Sequence, residues 1–315
     1  MPGEPNDIDW FENDVEESFF REVRKESGVP SSSTVVPKPV RIGDTVAGRF
    51  AIERLVGGGG MGSIYRAVDR NDGSVVAVKV LDQRLYEERF TREAEILSRL
   101  SHPGIVRYVG HGATPGGAPF LAMEWLDGEE LAHRLLRGSL SVSDGVRVVC
   151  RAAEALAVAH AAGIVHRDVK PSNLFLVGGD PDAVKVFDFG VARVDGHALS
   201  QRGDVIGTPG YMAPEQALAE DDVDARADVF ALGCVLYECL TGLAAFGVTH
   251  PLAVLAEEPP PVSTVQSGLA ALDSLLARAL AKEREARPKD AGAFREELSE
   301  LAQRLVEQTG DSSGT

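Results

Sequence analysis

The sequence contains few cysteines and no long apolar run. Three cysteines in 315 residues are too few for a disulfide framework, and no Cys/His cluster has the spacing of a zinc site. The chain nowhere has the roughly 20 consecutive apolar residues that a membrane-spanning helix needs. The longest apolar helical pattern, Val229–Leu240, contains Glu238 and is too short, and no basic-then-apolar leader opens the chain. The sequence therefore predicts a cytoplasmic protein without a membrane segment, with its thiols (Cys150, Cys234 and Cys239) buried in helices.

Basic side chains are outnumbered by acidic ones. The 32 Lys and Arg residues face 48 Asp and Glu residues, which gives a net charge of −16. A protein of that charge repels a phosphate backbone, so we expect no non-specific binding of nucleic acid. A small anionic ligand such as a nucleotide would need cations placed locally around it.

Residues 1–44 differ in composition from the rest of the chain. An acidic opening is followed by Ser31–Thr34 and by Pro37 and Pro39, a composition typical of a linker. The aromatic residues of the opening are Trp10, Phe11, Phe19 and Phe20. They fit one side of a short helix that docks on the folded part or on a partner. A partly disordered extension is the favoured interpretation.

Hydrophobic periodicity predicts a sheet followed by helices. Alternating segments at 50–56, 63–68 and 74–81 indicate strands, and Asn71–Gly73 indicates a hairpin turn between the last two. Helical spacing covers 87–100, strand patterns return at 105–110 and 120–125, and the chain is mainly helical after Gly128. A small antiparallel sheet with one main helix, followed by a larger and mostly helical part, predicts an α+β protein with two lobes.

A glycine-rich loop lies between the first two long strands. Gly57, Gly59 and Gly62 let the backbone approach a phosphate closely and offer N–H groups to it. The dinucleotide-binding alternative needs a helix directly after the loop, and Ser63 begins a strand instead. Alone, the loop also fits a glycine-rich hairpin that binds no ligand.

Lys79 interrupts an apolar strand, where a lysine without a partner is rare. In the following helix Phe90, Ala94 and Leu97 form an apolar stripe, and Glu93 lies within it. We therefore predict that Glu93 faces inward and pairs with Lys79. The alternative is an edge-strand lysine that points to solvent.

Three further motifs follow in a fixed order. They are His166–Asn173 (HRDVKPSN), Asp188–Gly190 (DFG) and Gly207–Glu215 (GTPGYMAPE). With the glycine loop and Val76–Lys79, they resemble the signature set of the eukaryotic-like serine/threonine protein kinases of bacteria. The resemblance covers about residues 46–303. It implies a bilobal kinase domain at 45–305 (small lobe at about 46–123, hinge at 124–128, larger lobe at 129–305), with an extension at 1–44 and a tail at 306–315.

The resemblance also implies residue roles. Asp168 orients the substrate hydroxyl or accepts its proton, Lys79 holds the phosphates of ATP, and Glu93 holds Lys79. Asn173 and Asp188 ligate Mg²⁺, for which Mn²⁺ is the expected substitute. The residues implied in ATP binding are Val56, Gly57, Gly59, Gly62, Ile64, Ala77, Lys79, Met123, Glu124, Leu126 and Phe175.

Other implied roles concern specificity, regulation and support. Lys170 is catalytic and, with Thr208, is typical of serine/threonine rather than tyrosine kinases. Arg167 is the expected binder of a phosphate on the activation segment, with Ser200 as the candidate acceptor there. In the scaffold, Asp228 at the start of the apolar helix braces the catalytic loop, and Arg287 pairs with Glu215.

The expected partners are proteins that carry Ser or Thr acceptors, in bacterial signalling, with self-association for autophosphorylation. Two alternatives have different functions. A pseudokinase or scaffold module would bind ATP without transferring phosphate, but it usually lacks one of the catalytic residues that this sequence retains. A small-molecule phosphotransferase generally lacks the segment that ends in Ala-Pro-Glu, here Ala213–Glu215.

Overall fold

A computed structural model describes residues 40–59, 62–81, 94–189, 209–247, 253–266 and 268–311. Within them the chain forms two compact units. The first comprises the residues up to Ala94 and Tyr108–Trp125, and the second comprises Glu95–Arg107 and the residues from Leu126 onward. The predicted N-terminal extension lies almost wholly outside the described residues.

The first unit is a six-stranded antiparallel sheet with the order β1-β2-β3-β4-β6-β5. The strands are β1 (Thr45–Val46), β2 (Phe50–Gly59), β3 (Gly62–Asp69), β4 (Val75–Val80), β5 (Tyr108–Ala113) and β6 (Pro119–Glu124). Burial alternates along β4, where Val76, Val78 and Val80 enter the hydrophobic core of the unit. Because side chains alternate along a strand, Ala77 and Lys79 lie on the opposite face.

Gly62 is required by the close packing of β3 on β4. Its φ is +143°, and a Cβ atom there would lie 2.1 Å from the carbonyl oxygen of Val80. Any side chain at this position would therefore collide with the backbone of the neighbouring strand.

The second unit contains helices and a small antiparallel sheet. Its strands are β7 (Gly128–Glu130), β8 (Leu174–Val177) and β9 (Val184–Val186), in that order. Its helices are α1 (Leu131–Leu135), α2 (Val142–Ala161), α3 (Pro214–Ala217), α4 (Ala225–Thr241), α5 (Ala253–Ala256), α6 (Val262–Val265), α7 (Ala270–Ala279) and α8 (Ala291–Asp311). Residues 94–99 are helical, and short 3₁₀ turns occur at Pro171–Asn173, Pro209–Tyr211 and Arg284–Ala286.

Helix α4 forms the centre of the second unit. Thirteen of its residues are buried, among them Asp228. The Asp224 side chain accepts a hydrogen bond from the Arg226 N–H and caps the first turn, and Gly242 ends the helix in the left-handed conformation, with φ 73°. The sheet and helix composition agrees with the predicted α+β class.

Three expectations differ from the structure. The strand predicted at 105–110 begins at Tyr108, because Ile105 instead forms an isolated bridge with Val186. The apolar helix begins at Ala225, so Asp228 lies in its first turn rather than at its start. Cys234 and Cys239 are buried as predicted, but Cys150 is only partly buried, with its sulfur 3.5 Å from the Ser299 Oγ.

Among the described residues, no helix is both long enough and apolar enough to cross a bilayer.

Candidate active site

The loop between α2 and β8 brings three predicted site residues together. The Asn173 side-chain amide donates to the backbone oxygen of Asp168 at 2.7 Å and to its carboxylate at 3.0 Å. The Lys170 ammonium lies 3.3 Å from the same carboxylate. The side chains of Asp168 and Lys170 are 25% and 21% exposed, so a substrate from solvent can reach them.

The buried side chain of Asp228 holds this loop through hydrogen bonds to its backbone. One oxygen of its buried carboxylate accepts from the His166 N–H at 2.8 Å, and the other accepts from the Arg167 N–H at 2.8 Å. The predicted brace is therefore confirmed. Burial acts to raise the pKa of Asp228, but the hydrogen bonds from the His160 side chain and from the His166 N–H outweigh it and leave that pKa below its ordinary value.

His160 extends this network to the last helix. Its Nε2 lies 2.8 Å from the Asp228 carboxylate, and its Nδ1 accepts from the Ala291 N–H at 3.3 Å. Since Nδ1 is the acceptor, Nε2 carries the hydrogen that is donated to Asp228. A chain of hydrogen bonds thus runs from the first residue of α8 to the loop that contains Asp168.

Asp188 is held beside the loop through its two neighbours. The His166 Nε2 donates to the Phe187 carbonyl at 3.1 Å, and the ring centroids of His166 and Phe189 are 4.5 Å apart. The Phe187 N–H donates to the Asn173 carbonyl at 3.2 Å. Asp188 has a φ of 54°, a left-handed conformation that non-glycine residues rarely adopt and that often occurs at functional sites.

Glu215 and Arg287 form a buried ion pair, as predicted. Two guanidinium nitrogens lie 2.7 and 2.8 Å from the two carboxylate oxygens. The guanidinium also lies over the Phe230 ring at 5.0 Å, and its Nε donates to the Ala281 carbonyl at 2.9 Å. The pair fixes helix α3, whose Gln216 amide donates to the Arg167 carbonyl at 2.8 Å.

The predicted nucleotide-binding residues of the first unit lie on four neighbouring strands. They are Val56, Gly57 and Gly59 on β2, Gly62 and Ile64 on β3, Ala77 and Lys79 on β4, and Met123 and Glu124 on β6. Ile64 is the cross-strand partner of Lys79, and Ala77 is the partner of Met123. Ile64, Ala77 and Lys79 therefore share the sheet face opposite the core.

Two predicted ATP-binding residues belong to the second unit. Leu126 is half-buried and directly precedes the segment that leads into β7. Phe175 lies on β8, and its ring meets the Phe187 ring edge to face at 6.4 Å. Phe175 is thus tied to the segment that contains Asp188.

Residues 50–305 match the family described as "Protein kinase domain". The chain belongs to the protein kinase family. It is 40% identical over 278 residues to the serine/threonine-protein kinase pkn3 of Myxococcus xanthus, covering 82% of this chain and 50% of that protein. It is 40% identical over 269 residues to PknB of Mycobacterium tuberculosis, covering 79% of this chain and 42% of that protein. The chain thus spans half the length, or less, of these two kinases.

Among solved structures, the chain is similar to that titled "Crystal structure of Rad53 1-466 in complex with AMP-PNP". The TM-score is 0.64 and the identity 25%, with 78% of this chain and 64% of that chain covered. The kinase family implies use of ATP and a divalent metal, and the bilobal kinase fold agrees with the α+β class predicted from the sequence.

The donor chemistry of the loop fits a hard divalent cation. The Asn173 side-chain nitrogen makes both hydrogen bonds to Asp168, so the side-chain oxygen of Asn173 takes no part in them. Asp188 adds a carboxylate. Within the described residues no group of three or more His, Cys, Asp or Glu could hold a metal. Two oxygen donors suit Mg²⁺, which usually keeps water and phosphate oxygens as further ligands.

Several kinase residues were missed by sequence reasoning. His160 and Gln216 received no predicted role, because their partners are 68 and 49 residues away along the chain. Glu130, at the end of β7, was also missed: burial and the negative charge of Asp188 raise its pKa to about 7, against the lowering effect of Lys170. The local signal was a pair of acidic residues just after the predicted hinge.

Some predicted residues lie outside the described part of the chain. They are Glu93, Ser200 and Thr208. The Lys79–Glu93 pair and both hydroxyl roles therefore stay predictions. Arg167 is described: it has a φ of 66°, and its guanidinium donates to the Val223 carbonyl at 3.2 Å.

The buried ion pair provides a stability test. We expect Arg287→Ala to lower the free energy of unfolding by about 3–5 kcal/mol, because the Glu215 carboxylate is then buried without its partner. The control is Arg284→Ala, which removes the more exposed pair with Asp222 and should change the free energy of unfolding far less, because solvent screens exposed charges. Urea unfolding measures both variants. Equal losses would contradict a special role for the buried pair.

Proposed function

We propose that this chain is a serine/threonine protein kinase that transfers the γ-phosphoryl group of ATP to Ser or Thr hydroxyls of proteins in bacterial signalling, itself included. The observation that supports this most directly is the cluster of Asp168, Lys170 and Asn173. In it, the Lys170 ammonium and the Asn173 amide both lie within ion-pair or hydrogen-bonding distance of the Asp168 carboxylate. The family membership and the similarity to named serine/threonine kinases support the same reaction.

The proposed chemistry is a displacement at phosphorus. The acceptor hydroxyl oxygen forms a bond to the γ-phosphorus, the bond from that phosphorus to the β,γ-bridging oxygen breaks, and ADP departs. Asp168 orients the hydroxyl and accepts its proton, while Lys170 donates to the transferring oxygens. Because the transition state spreads negative charge over those oxygens, a fixed ammonium lowers the barrier.

The remaining site roles are part of this proposal. Lys79 holds the α- and β-phosphates with Glu93 as its partner, and Asn173 and Asp188 hold Mg²⁺, or Mn²⁺ in its place. When bound, the divalent ion supplies positive charge to the β- and γ-phosphates. The proposed adenine contacts are Val56, Ile64, Ala77, Met123, Glu124, Leu126 and Phe175, with the backbone of Gly57, Gly59 and Gly62 over the phosphates.

The proposal also assigns residues to substrate specificity and to regulation. Lys170 and Thr208 favour Ser and Thr acceptors over Tyr. Arg167 is proposed to bind a phosphate added to Ser200 by autophosphorylation between two associated copies. The domain limits of 45–305 and the cytoplasmic location stay predictions from the sequence.

The test is phosphotransfer by the full chain. We expect incubation with labelled ATP, Mg²⁺ and a generic protein acceptor to label Ser or Thr only, as mapped by mass spectrometry. Chelation with EDTA should abolish the labelling, and excess Mg²⁺ or Mn²⁺ should restore it. A parallel reaction with small-molecule acceptors serves as the control for acceptor class.

Three outcomes would refute the proposal. Phosphotyrosine as the sole product would exclude the assigned specificity. Transfer to a small molecule but to no protein would favour a metabolite phosphotransferase. ATP binding without any transfer would favour a pseudokinase.

A further inference from the structure

An arginine–tryptophan patch lies on the first unit. We define it as Arg54 on β2, Arg66 on β3 and Trp125 directly after β6. Arg54 and Arg66 are direct cross-strand partners, and their guanidinium carbons lie 5.6 and 5.7 Å from the Trp125 ring centroid. Both distances are within the range of a cation–π contact. Two guanidinium groups therefore share one indole ring.

The charges of the patch are only partly compensated. Like charges placed directly opposite each other on a sheet destabilise it, and Glu53 forms an ion pair with Arg66 alone. In the part of the chain that the structure describes, no carboxylate forms an ion pair with Arg54. A guanidinium that lies over a ring still presents the N–H donors at its rim.

This chemistry suits a partner with both carboxylates and aromatic rings. The first 20 residues of the chain have that composition: they contain seven acidic residues and no basic residue. Their aromatic residues are Trp10, Phe11, Phe19 and Phe20. We call residues 4–20 the acidic–aromatic arm.

The arm is tethered to the unit that carries the patch. The carbonyl of Val40 accepts from the Tyr65 hydroxyl at 3.3 Å, and Tyr65 precedes Arg66 on β3. The 19 residues at 21–39 connect the arm to Val40. Such a segment spans at most about 65 Å when fully extended, which is ample to cross one small unit. Tethering also raises the effective concentration of the arm far above that of a free peptide.

We propose that the acidic–aromatic arm binds the arginine–tryptophan patch of the same molecule. Carboxylates of the arm pair with the guanidinium rims of Arg54 and Arg66, and its aromatic side chains cover the edge of the Trp125 indole. The arm is favoured over nucleic acid as the occupant because the net charge of −16 repels phosphate backbones.

The two tryptophans of the chain make a direct test available. Trp10 lies in the arm and Trp125 in the patch, and the chain has no other tryptophan. The full chain is labelled with 5-fluorotryptophan, and the two fluorine NMR signals are assigned with Trp10→Phe. We expect the Trp10 signal to differ from that of a synthetic peptide of residues 1–22. It should move to the peptide position in the Arg54→Glu/Arg66→Glu variant.

The control reverses the same number of charges elsewhere on the unit. Arg41 and Arg70 are exposed and belong to neither the patch nor the proposed site. Arg41→Glu/Arg70→Glu should leave the Trp10 signal unchanged. A reciprocal variant, Glu12→Lys/Glu16→Lys/Glu17→Lys, leaves the described residues intact and should shift the Trp125 signal. This reciprocal variant keeps the test valid if the Arg54→Glu/Arg66→Glu variant does not fold.

Other results would overturn the proposal. A wild-type Trp10 signal at the peptide position would mean that the arm does not bind, and equal shifts in both arginine variants would mean that only overall charge matters. Signals that change with protein concentration would mean that the arm binds a second copy. The readout needs no ATP, so failure here is distinguishable from failure of the proposed kinase activity.

Discussion

The Asp168→Asn variant is expected to lose phosphotransfer by a factor of about 10²–10⁴ in kcat, because asparagine cannot accept the hydroxyl proton. It also lacks the charge that attracts Lys170 at 3.3 Å. The amide has nearly the same size as the carboxylate, so its oxygen can accept the hydrogen bond that the Asn173 side chain donates to Asp168. The fold should therefore be retained, with a change in the free energy of unfolding of about 1 kcal/mol or less, since the carboxylate is partly exposed.

Single-turnover phosphotransfer with saturating ATP measures this effect, and thermal unfolding checks the fold. The matched control is Asp182→Asn, which removes a partly exposed carboxylate of the same unit that pairs with Arg147 and Arg151. We expect its kcat to stay within about twofold of wild type. Retained activity in the Asp168 variant would show that this carboxylate is not needed for transfer.

The Asp228→Asn variant should lose both stability and activity. The carboxylate accepts from two backbone N–H groups and from His160 in a fully buried position. An amide has one acceptor atom and one donor group, so at least one buried N–H would face another donor. Hydrogen bonds to a charged group contribute about 1.5–3 kcal/mol each, so we expect a loss of about 3–5 kcal/mol.

Urea unfolding of this variant and of Asp273→Asn tests the expectation. Asp273 also accepts a backbone N–H, from Ser263 at 3.1 Å, but it is partly exposed and should cost about 1 kcal/mol. Because folding lowers the pKa of Asp228, its stabilisation is fully present above the unfolded value of about 3.9 and is lost as pH falls below it. The difference between wild type and variant should therefore shrink in acid. A difference that is constant with pH would contradict the charged role.

The proposed catalytic cluster could be predicted from the sequence because its members are close along the chain. Asp168, Lys170 and Asn173 lie within six residues, and a loop with a 3₁₀ turn folds them together. The alternation along β4 was equally readable, since one buried face imposes period two on Val76–Val80. Spacing along the chain is therefore enough to predict which nearby residues cluster and which face of a strand is buried.

The support of the loop by His160 could not be predicted in the same way, whereas the brace by Asp228 was implied by the family resemblance. His160 and Asp228 are 68 residues apart, and no local pattern indicates that the end of α2 faces the first turn of α4. The strand predicted at 105–110 was wrong in its first residues because the bridge from Ile105 to Val186 replaces hairpin pairing there. Contacts between distant segments decided both cases.

The collision at Gly62 limits what a glycine scan of the loop can reveal. An alanine there would disturb the pairing of β3 with β4 whether or not a nucleotide is bound, so lost activity at that position would carry no information about phosphate binding. Gly58 is different, since an added Cβ would meet the Ser63 Oγ at 3.6 Å, an ordinary contact distance. The two glycines of this loop thus differ: a side chain at position 62 disturbs the sheet itself, whereas one at position 58 leaves the strand pairing intact.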